Sequence, residues 1–277
     1  MEKSDELVHS GMELAVQERW EEALEKGVEA LKIKLEKFGK GSVHVVPAYL
    51  LMGDVHLSLG KLKSTEEFVS MANWNIVKAK IPNHQLMAKL HILYGKLCIA
   101  KKNLVPAREH LANAAYFFSL EYGPEHIETS VAYFELGNSF RDEESTKEQC
   151  LASFDKVVDI WYKFVSLART VPQSELQSIQ LFRALQMFLH ILDIRTRELG
   201  ADHIATGETK YTLVISPVIF LLSNLVLIIS VIIGSFIFIF GKYSRISTSY
   251  SSCIGHLSRA IGTLSSSLSD SDPNTTF

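Results

Sequence analysis

Tyr94-Gly95-Lys96-Leu97-Cys98, followed by Leu104-Val105-Pro106-Ala107-Arg108-Glu109-His110-Leu111, is one version of a segment that recurs along this chain. An earlier version reads Ser10-Gly11-Met12-Glu13-Leu14 and then Trp20-Glu21-Glu22-Ala23-Leu24. Gly11, Gly53, Gly95 and Gly137 stand at a constant step of 42 residues. Four positions before each glycine comes Leu7, Tyr49, His91 or Tyr133. Further positions repeat in register with the glycines: Ala23 and Ala107, Val69 and Leu111, and Ala30, Ala72 and Ala114. A period in this range is the signature of stacked supersecondary units. Small residues at fixed places in two successive apolar-periodic stretches predict a pair of antiparallel helices whose backbones approach closely, with large residues filling the neighbouring layers.

Links between the pairs repeat as well. Tyr122-Gly123-Pro124-Glu125-His126 and Leu199-Gly200-Ala201-Asp202-His203 share one pattern, and Phe38-Gly39 opens a similar link. A glycine just past a helix marks its C-cap, and the acid and histidine then fall where the next helix begins. His126 and His203 are therefore expected to be turn residues, not metal ligands. The fourth unit carries one extra residue, so Arg141–Glu148 is expected to be a polar loop, with the second helix resuming through Phe154, Val157, Ile160 and Trp161. A fifth unit would place a first helix over Gln173–Gln186 and a second over Phe188–Glu198, with Arg195 and Arg197 suiting that helix's C-terminus. The solenoid is expected to occupy residues 1–212.

A sixth unit begins near Thr206, and its pattern stops at Leu213. Between Lys210 and Lys242 there is no charged residue, and Val214–Phe240 holds twenty residues of Val, Ile, Leu and Phe. A membrane span needs about 20 residues. Residues 213–240, from about Val214 to Phe240, are expected to form one transmembrane helix, or a segment foreign to the repeat it interrupts. Lys242 and Arg245 after it and Lys210 before it leave the orientation open. Residues 241–277 are rich in serine and are expected to be disordered. Met1–Glu6 lacks the apolar run of a secretory signal, which places the repeats on the cytosolic side.

A net charge of −3, from 28 basic and 31 acidic residues, supplies no basic stripe for nucleic acid. The 47% apolar content argues against a wholly disordered chain. Cys98, Cys150 and Cys253 lie far apart with no CxxC, which fits neither a zinc finger nor a disulfide framework. HExxH, GxSxG, P-loop and GxGxxG patterns do not occur. No catalytic residue, metal or cofactor is expected.

The large-residue, glycine, alanine, aliphatic and alanine positions resemble the tetratricopeptide repeat. The period, longer than the usual ~34, is similar to that of the kinesin-light-chain class. The resemblance implies a right-handed superhelix. Stacked hairpins of this type have a concave face lined by the first helix of each unit. Counted from the glycine, that face should carry Met12, Asp54, Lys89, Ile92, Lys96, Phe134, Asn138 and Arg141. In tetratricopeptide domains that clamp a carboxylate, a lysine stands three before the glycine and an asparagine one after. Here those places hold Val8, Leu50, Ile92 and Phe134, then Met12, Asp54, Lys96 and Asn138. Only Asn138 fits, so an apolar groove for an amphipathic helix or extended peptide is expected instead.

Val46-Pro47-Ala48-Tyr49-Leu50-Leu51, Ile99-Ala100-Lys101-Lys102-Asn103 and Ala107-Arg108-Glu109-His110-Leu111-Ala112-Asn113 are more specific. With Tyr133-Phe134-x-Leu136-Gly137-Asn138 and Lys156-Val157-x-x-Ile160-Trp161, they resemble the family of zinc finger MYND domain-containing protein 12 over residues 8–213. That resemblance implies an interaction scaffold of the ciliary or flagellar axoneme, with other tetratricopeptide or dynein-related proteins as partners. The family's zinc finger has no counterpart here, so no metal site carries over. The apolar stretch offers a different reading, a membrane-anchored adaptor with its repeats in the cytosol.

Overall fold

A computed structural model describes residues 3–79, 83–168 and 177–223, and every regular element among them is helical. Met1–Ser223 forms one compact unit, and Asn224–Phe277 lies outside the described residues. Four antiparallel hairpins follow one another: α1 (Lys3–Val16) with α2 (Trp20–Phe38), α3 (Val46–Ser58) with α4 (Leu62–Ala79), α5 (His84–Ala100) with α6 (Leu104–Tyr122), and α7 (Ile127–Phe140) with α8 (Lys147–Ala168). Two further helices are α9 (Ser178–Leu199) and α10 (Ile204–Ser223). Each second helix packs on the first helix of the next unit, giving an all-helical stack of repeated hairpins.

The alanines in register, Ala23, Ala30, Ala72, Ala107 and Ala114, are completely buried. The glycines work differently from the close backbone approach expected of them. A Cβ at Gly11 would lie 2.6 Å from Leu51 of α3, and one at Gly53 would lie 2.7 Å from Leu93 of α5. A Cβ at Gly95 would meet Leu111 of α6 at 2.5 Å, and one at Gly137 the Phe154 ring of α8 at 2.6 Å. Each glycine is a socket that admits a large side chain from the neighbouring helix. Close packing of this kind is sensitive to a single added carbon.

Turns repeat as faithfully as helices. Seven residues past the first three register glycines stand Glu18 (φ 59°), Gly60 (φ 73°) and Lys102 (φ 62°), each in left-handed conformation between the two helices of a hairpin. Gly39, Gly123 and Gly200 follow the ends of α2, α6 and α9 with φ of 75°, 100° and 96°. Beyond two of these, His126 and His203 accept the backbone N–H of Glu128 and Ala205 on Nδ1, each at 3.2 Å. Thr129 and Thr206 donate back to the carbonyls of Gly123 and Gly200 at 2.8 and 2.9 Å. Both histidines are turn residues, as their spacing suggests. The expected polar loop is shorter than Arg141–Glu148, since Lys147 already opens α8.

Three readings need correction. The fifth unit is a single helix, since α9 runs unbroken from Ser178 to Leu199 where two helices were expected. Nothing in Leu185-Gln186-Met187-Phe188 caps or breaks a helix, so one continuous apolar pattern extends through it. Arg195 does not serve its own helix end. It is 1% exposed, donates to the Ala205 carbonyl and the Thr209 hydroxyl of α10 at 2.6 Å each, and pairs with Asp155 of α8. The boundary near residue 213 is not a helix start either, because α10 begins at Ile204 and continues to Ser223. Its buried side is polar and small, carrying Thr206, Thr209, Thr212 and Ser216. Among the described residues no helix is long and apolar enough to cross a membrane. Residues 224–240 of the apolar stretch, Phe240 included, lie outside the described residues, as do 241–277 with Cys253.

Candidate protein-binding groove

The eight residues expected on the concave face fall into three groups. Met12, Ile92 and Phe134 are half-buried packing residues: Met12 packs beside Leu7, Ala30 and Leu51, Ile92 against Ala88 and Ala114, and Phe134 on Phe154. Arg141 stands past the end of α7, exposed and paired with Asp142 at 2.8 Å. It borders a cleft of about 490 Å³ between α8 and α9 with Lys147, His190 and Arg197. Every cation there has a carboxylate, since Lys147 pairs with Glu198 and Arg197 with Asp193.

Asp54, Lys89, Lys96 and Asn138 form the polar part of the wall, joined by Glu128 and Glu135. Lys96 of α5 pairs with Asp54 of α3, its counterpart one repeat earlier. The Asn138 amide donates to Glu135 at 3.5 Å. Lys89 and Lys96 are seven residues apart on α5, and Glu128 and Glu135 are seven apart on α7. Seven residues is close to two helical turns, so each pair lies along one side of its helix. A lysine row therefore faces a glutamate row across the joint between the third and fourth units.

Burial and charge act against each other along this wall. Lys89 sits below the ordinary lysine value, first through burial, with Glu128 opposing and Arg183 adding. Lys96 is also pulled down by burial, but Asp54 and Glu135 more than offset it and hold its pKa above the ordinary value. Burial raises Glu135 above the usual carboxylate range, while Lys96 and Asn138 pull the other way.

The wall is not open. Arg183 of α9 lies 3.7 Å from Glu128 and close enough to Lys89, Lys96 and Glu135 to act on each electrostatically. Gln180 donates to Glu128 at 2.7 Å. On the opposite side Ser178 donates to Glu13 of α1 at 3.1 Å, and Gln186 caps the last carbonyl of α1, that of Val16, at 2.6 Å. The first half of α9 thus bridges α1 and α7 across the inner faces of the hairpins. No side chain from Ser178 through Leu192 is fully exposed. The half-helix is buried or half-buried along its length and lies against both ends of the stack of hairpins.

Glu128, Glu135 and Arg183 were absent from the residues expected at the site. The matching seven-residue spacings on α5 and α7 carried a signal for the two glutamates. Arg183 carried none, because its partners are distant in sequence and α9 departs from the repeat. Among the described residues no group of histidine, cysteine and acidic side chains could hold a metal ion. Cys150 is buried, and burial pushes its thiol up to about 11.

No protein-family model matches the chain. The solved structures with which it aligns include BtubC (BKLC) from P. vanneervenii, at 14% identity and a TM-score of 0.38 over 100% of this chain and 96% of that one. A likeness of that size carries no argument about function.

Proposed function

We propose that this chain is a non-enzymatic tetratricopeptide-type scaffold that binds other proteins, working in a ciliary or flagellar axonemal assembly. The observation that carries the binding half of this reading is the curved stack of hairpins with a helix seated across its inner wall. A surface that holds one helix against half-buried apolar and charged side chains has the form used for helix-in-groove recognition. The axonemal half rests on the resemblance of residues 8–213 to the zinc finger MYND domain-containing protein 12 family, whose partners are other tetratricopeptide and dynein-related proteins. On this reading the site acts by shape and charge, and no cofactor takes part.

The uncharged run from Val214 to Phe240 favours a second reading, a membrane-anchored adaptor presenting the same repeats to the cytosol. Fractionation of a multiciliated cell expressing the tagged full chain separates the two. Retention on the axoneme after detergent removes the ciliary membrane is the expected result. Resistance to carbonate together with complete release by detergent would replace the scaffold reading with the anchored one.

A further inference from the structure

We infer that the first half of α9 is a tethered ligand of this chain's own groove, and that the wall beneath it docks a partner helix of like chemistry, apolar with one arginine facing the α7 glutamates. This rests on the proposal that the groove binds protein.

The two halves of α9 are held by different forces. From Met187 onward the helix belongs to the core: Met187, Phe188, Ile191 and Ile194 pack with Phe154, Val157, Ile160 and Trp161, and Arg195 bolts the helix to α8 and α10. Before Met187 the helix buries two aliphatic side chains and an alanine, Ile179, Leu181 and Ala184, and adds polar attachments at the rim, on Glu13, Val16 and Glu128. Polar contacts at a rim exchange for water at small net cost, and Ile179, Leu181 and Ala184 cost less to expose than the six large apolar side chains buried between Met187 and Ile194. The helix can therefore open from its N-terminal end as far as Gln186 while the rest stays in place, which is local unfolding of the least-stabilised segment.

The chemistry of the occupant follows from the charges beneath it. The wall carries three carboxylates, Asp54, Glu128 and Glu135, against two ammonium groups, Lys89 and Lys96. One negative charge is left over, and Arg183 supplies its counterion. Around Arg183 the same half-helix presents Ile179, Leu181 and Ala184, all buried. With Arg183 lifted away the surplus charge is uncompensated in a partly buried wall, so a partner helix must bring a cation to the same place. An acidic helix would meet repulsion there, which makes the position selective as well as attractive. While α9 sits in place, the groove's apparent affinity for a partner is reduced in proportion to the open fraction.

The test uses the full chain and a fluorescent peptide of the sequence Gln177–Gln186, the half that opens. In the parent protein, amide exchange should be about tenfold faster across Phe182–Gln186 than across Leu189–Ile194. Equal protection of the two halves would overturn the inference, whatever any variant does. In Arg183→Glu the tethered half is repelled and the groove opens. The peptide should then bind about tenfold more tightly than to the parent, and a peptide carrying the same substitution should not bind. A folded Arg183→Glu protein with no gain in peptide binding would equally sink the inference. If that variant does not fold, Gln186→Ala, which removes only the cap on Val16, takes its place with the same expected gain. Failure here with axonemal retention intact would leave the scaffold reading standing and remove only the tethered helix.

Discussion

Helices α7–α8 and helix α9 share one apolar cluster, yet they are specified in different ways. The hairpin is built from complementary shapes: Gly137 on one helix and Phe154 on the other interlock, and Trp161 donates its Nε1–H to the Ser130 hydroxyl at 2.9 Å. Helix α9 gives Ala184, Met187, Phe188, Ile191 and Ile194 to that cluster and is held besides by charged and amide side chains, Gln180, Arg183, Gln186 and Arg195, reaching elements up to 170 residues away in sequence. Interlocking shapes between neighbours repeat with the chain and need no distant partner. Polar pins across a groove do not repeat, and each depends on one particular group at the other end. The difference separates a stack that is stable in itself from a helix that chooses where to lie on it.

The sharpest test of the shape-based half is Phe154→Ala. Phe154 is fully buried and fills the Gly137 socket from one side while meeting Phe134 and His190 on the other. Removing the ring should cost about 3–5 kcal/mol in chemical denaturation. A loss below about 1 kcal/mol would mean that the socket collapses freely and shape does not specify the hairpin.

Arg195→Met tests the pinned half and should cost less, about 1–3 kcal/mol. Methionine replaces the aliphatic stem, so the loss reports the bonds to Ala205, Thr209 and Asp155. Asp155 is 62% exposed and can be rehydrated, which keeps the cost below that of a doubly buried pair. The expected effect is local: faster exchange in α10 with the α1–α6 amides unchanged. Uniform loss of protection throughout the chain would show that the two halves are one cooperative unit.

How much of this the chain announces in advance depends on range. Gly11, Gly53, Gly95 and Gly137 are visible because the hairpins repeat, and their alanine partners follow at fixed offsets. The same period led to the caps at His126 and His203. It fails at α9, where Gln173–Gln186 has the spacing of a first helix without a glycine in register and Phe188–Glu198 that of a second. The repeat predicts a hairpin there, but no turn residue interrupts Ser178–Leu199. Counting from a glycine puts Asp54, Lys89, Lys96 and Asn138 on one expected face, and Lys96 meets Asp54 there. Their carboxylate partners on α7 are not found that way, since Glu128 and Glu135 lie outside the offsets counted. That the wall is covered at all could not be read from any local pattern.

Acid should weaken the stack more gently than either substitution. His91 and His110 meet Nδ1 to Nδ1 at 3.0 Å, so one Nδ1–H donates to the other's lone pair, and the two rings cannot both become imidazolium in that geometry. Burial lowers the pKa of both below the ordinary 6.5, as it does for His126 and His190. A base with a folded pKa below its unfolded value binds fewer protons when folded. Its destabilising effect is absent above the unfolded pKa and grows as pH falls through about 6.5 toward the lower folded value. Glu135, raised by burial, has the opposite sign: its penalty is relieved as pH falls through its raised value toward the ordinary carboxylate range, which offsets part of the histidine effect. Denaturation midpoints should therefore decline as pH falls from 6.5 to 5, and His91→Gln with His110→Gln should flatten part of that slope. An unchanged slope in the double variant would locate the acid sensitivity elsewhere, with the histidine cap of α7 the next group to replace.

The smallest effect is a gain. Lys102 occupies the left-handed turn position that Gly60 fills in the second unit, at φ 62° against 73°. A side chain with a Cβ is strained there and glycine is not, so Lys102→Gly should stabilise the protein by about 0.5–1 kcal/mol. The unfolded chain gains freedom from the new glycine, which offsets part of the relief. Lys102 is exposed, so little packing changes with it. The Asn103 backbone N–H bond to the Cys98 carbonyl at 2.9 Å keeps the turn closed whichever residue stands at 102. A rise in the melting temperature with unchanged peptide binding would show that the hairpin turns of the stack can be tightened without touching α9. A fall would mean that the lysine side chain contributes more to the turn than its left-handed backbone costs.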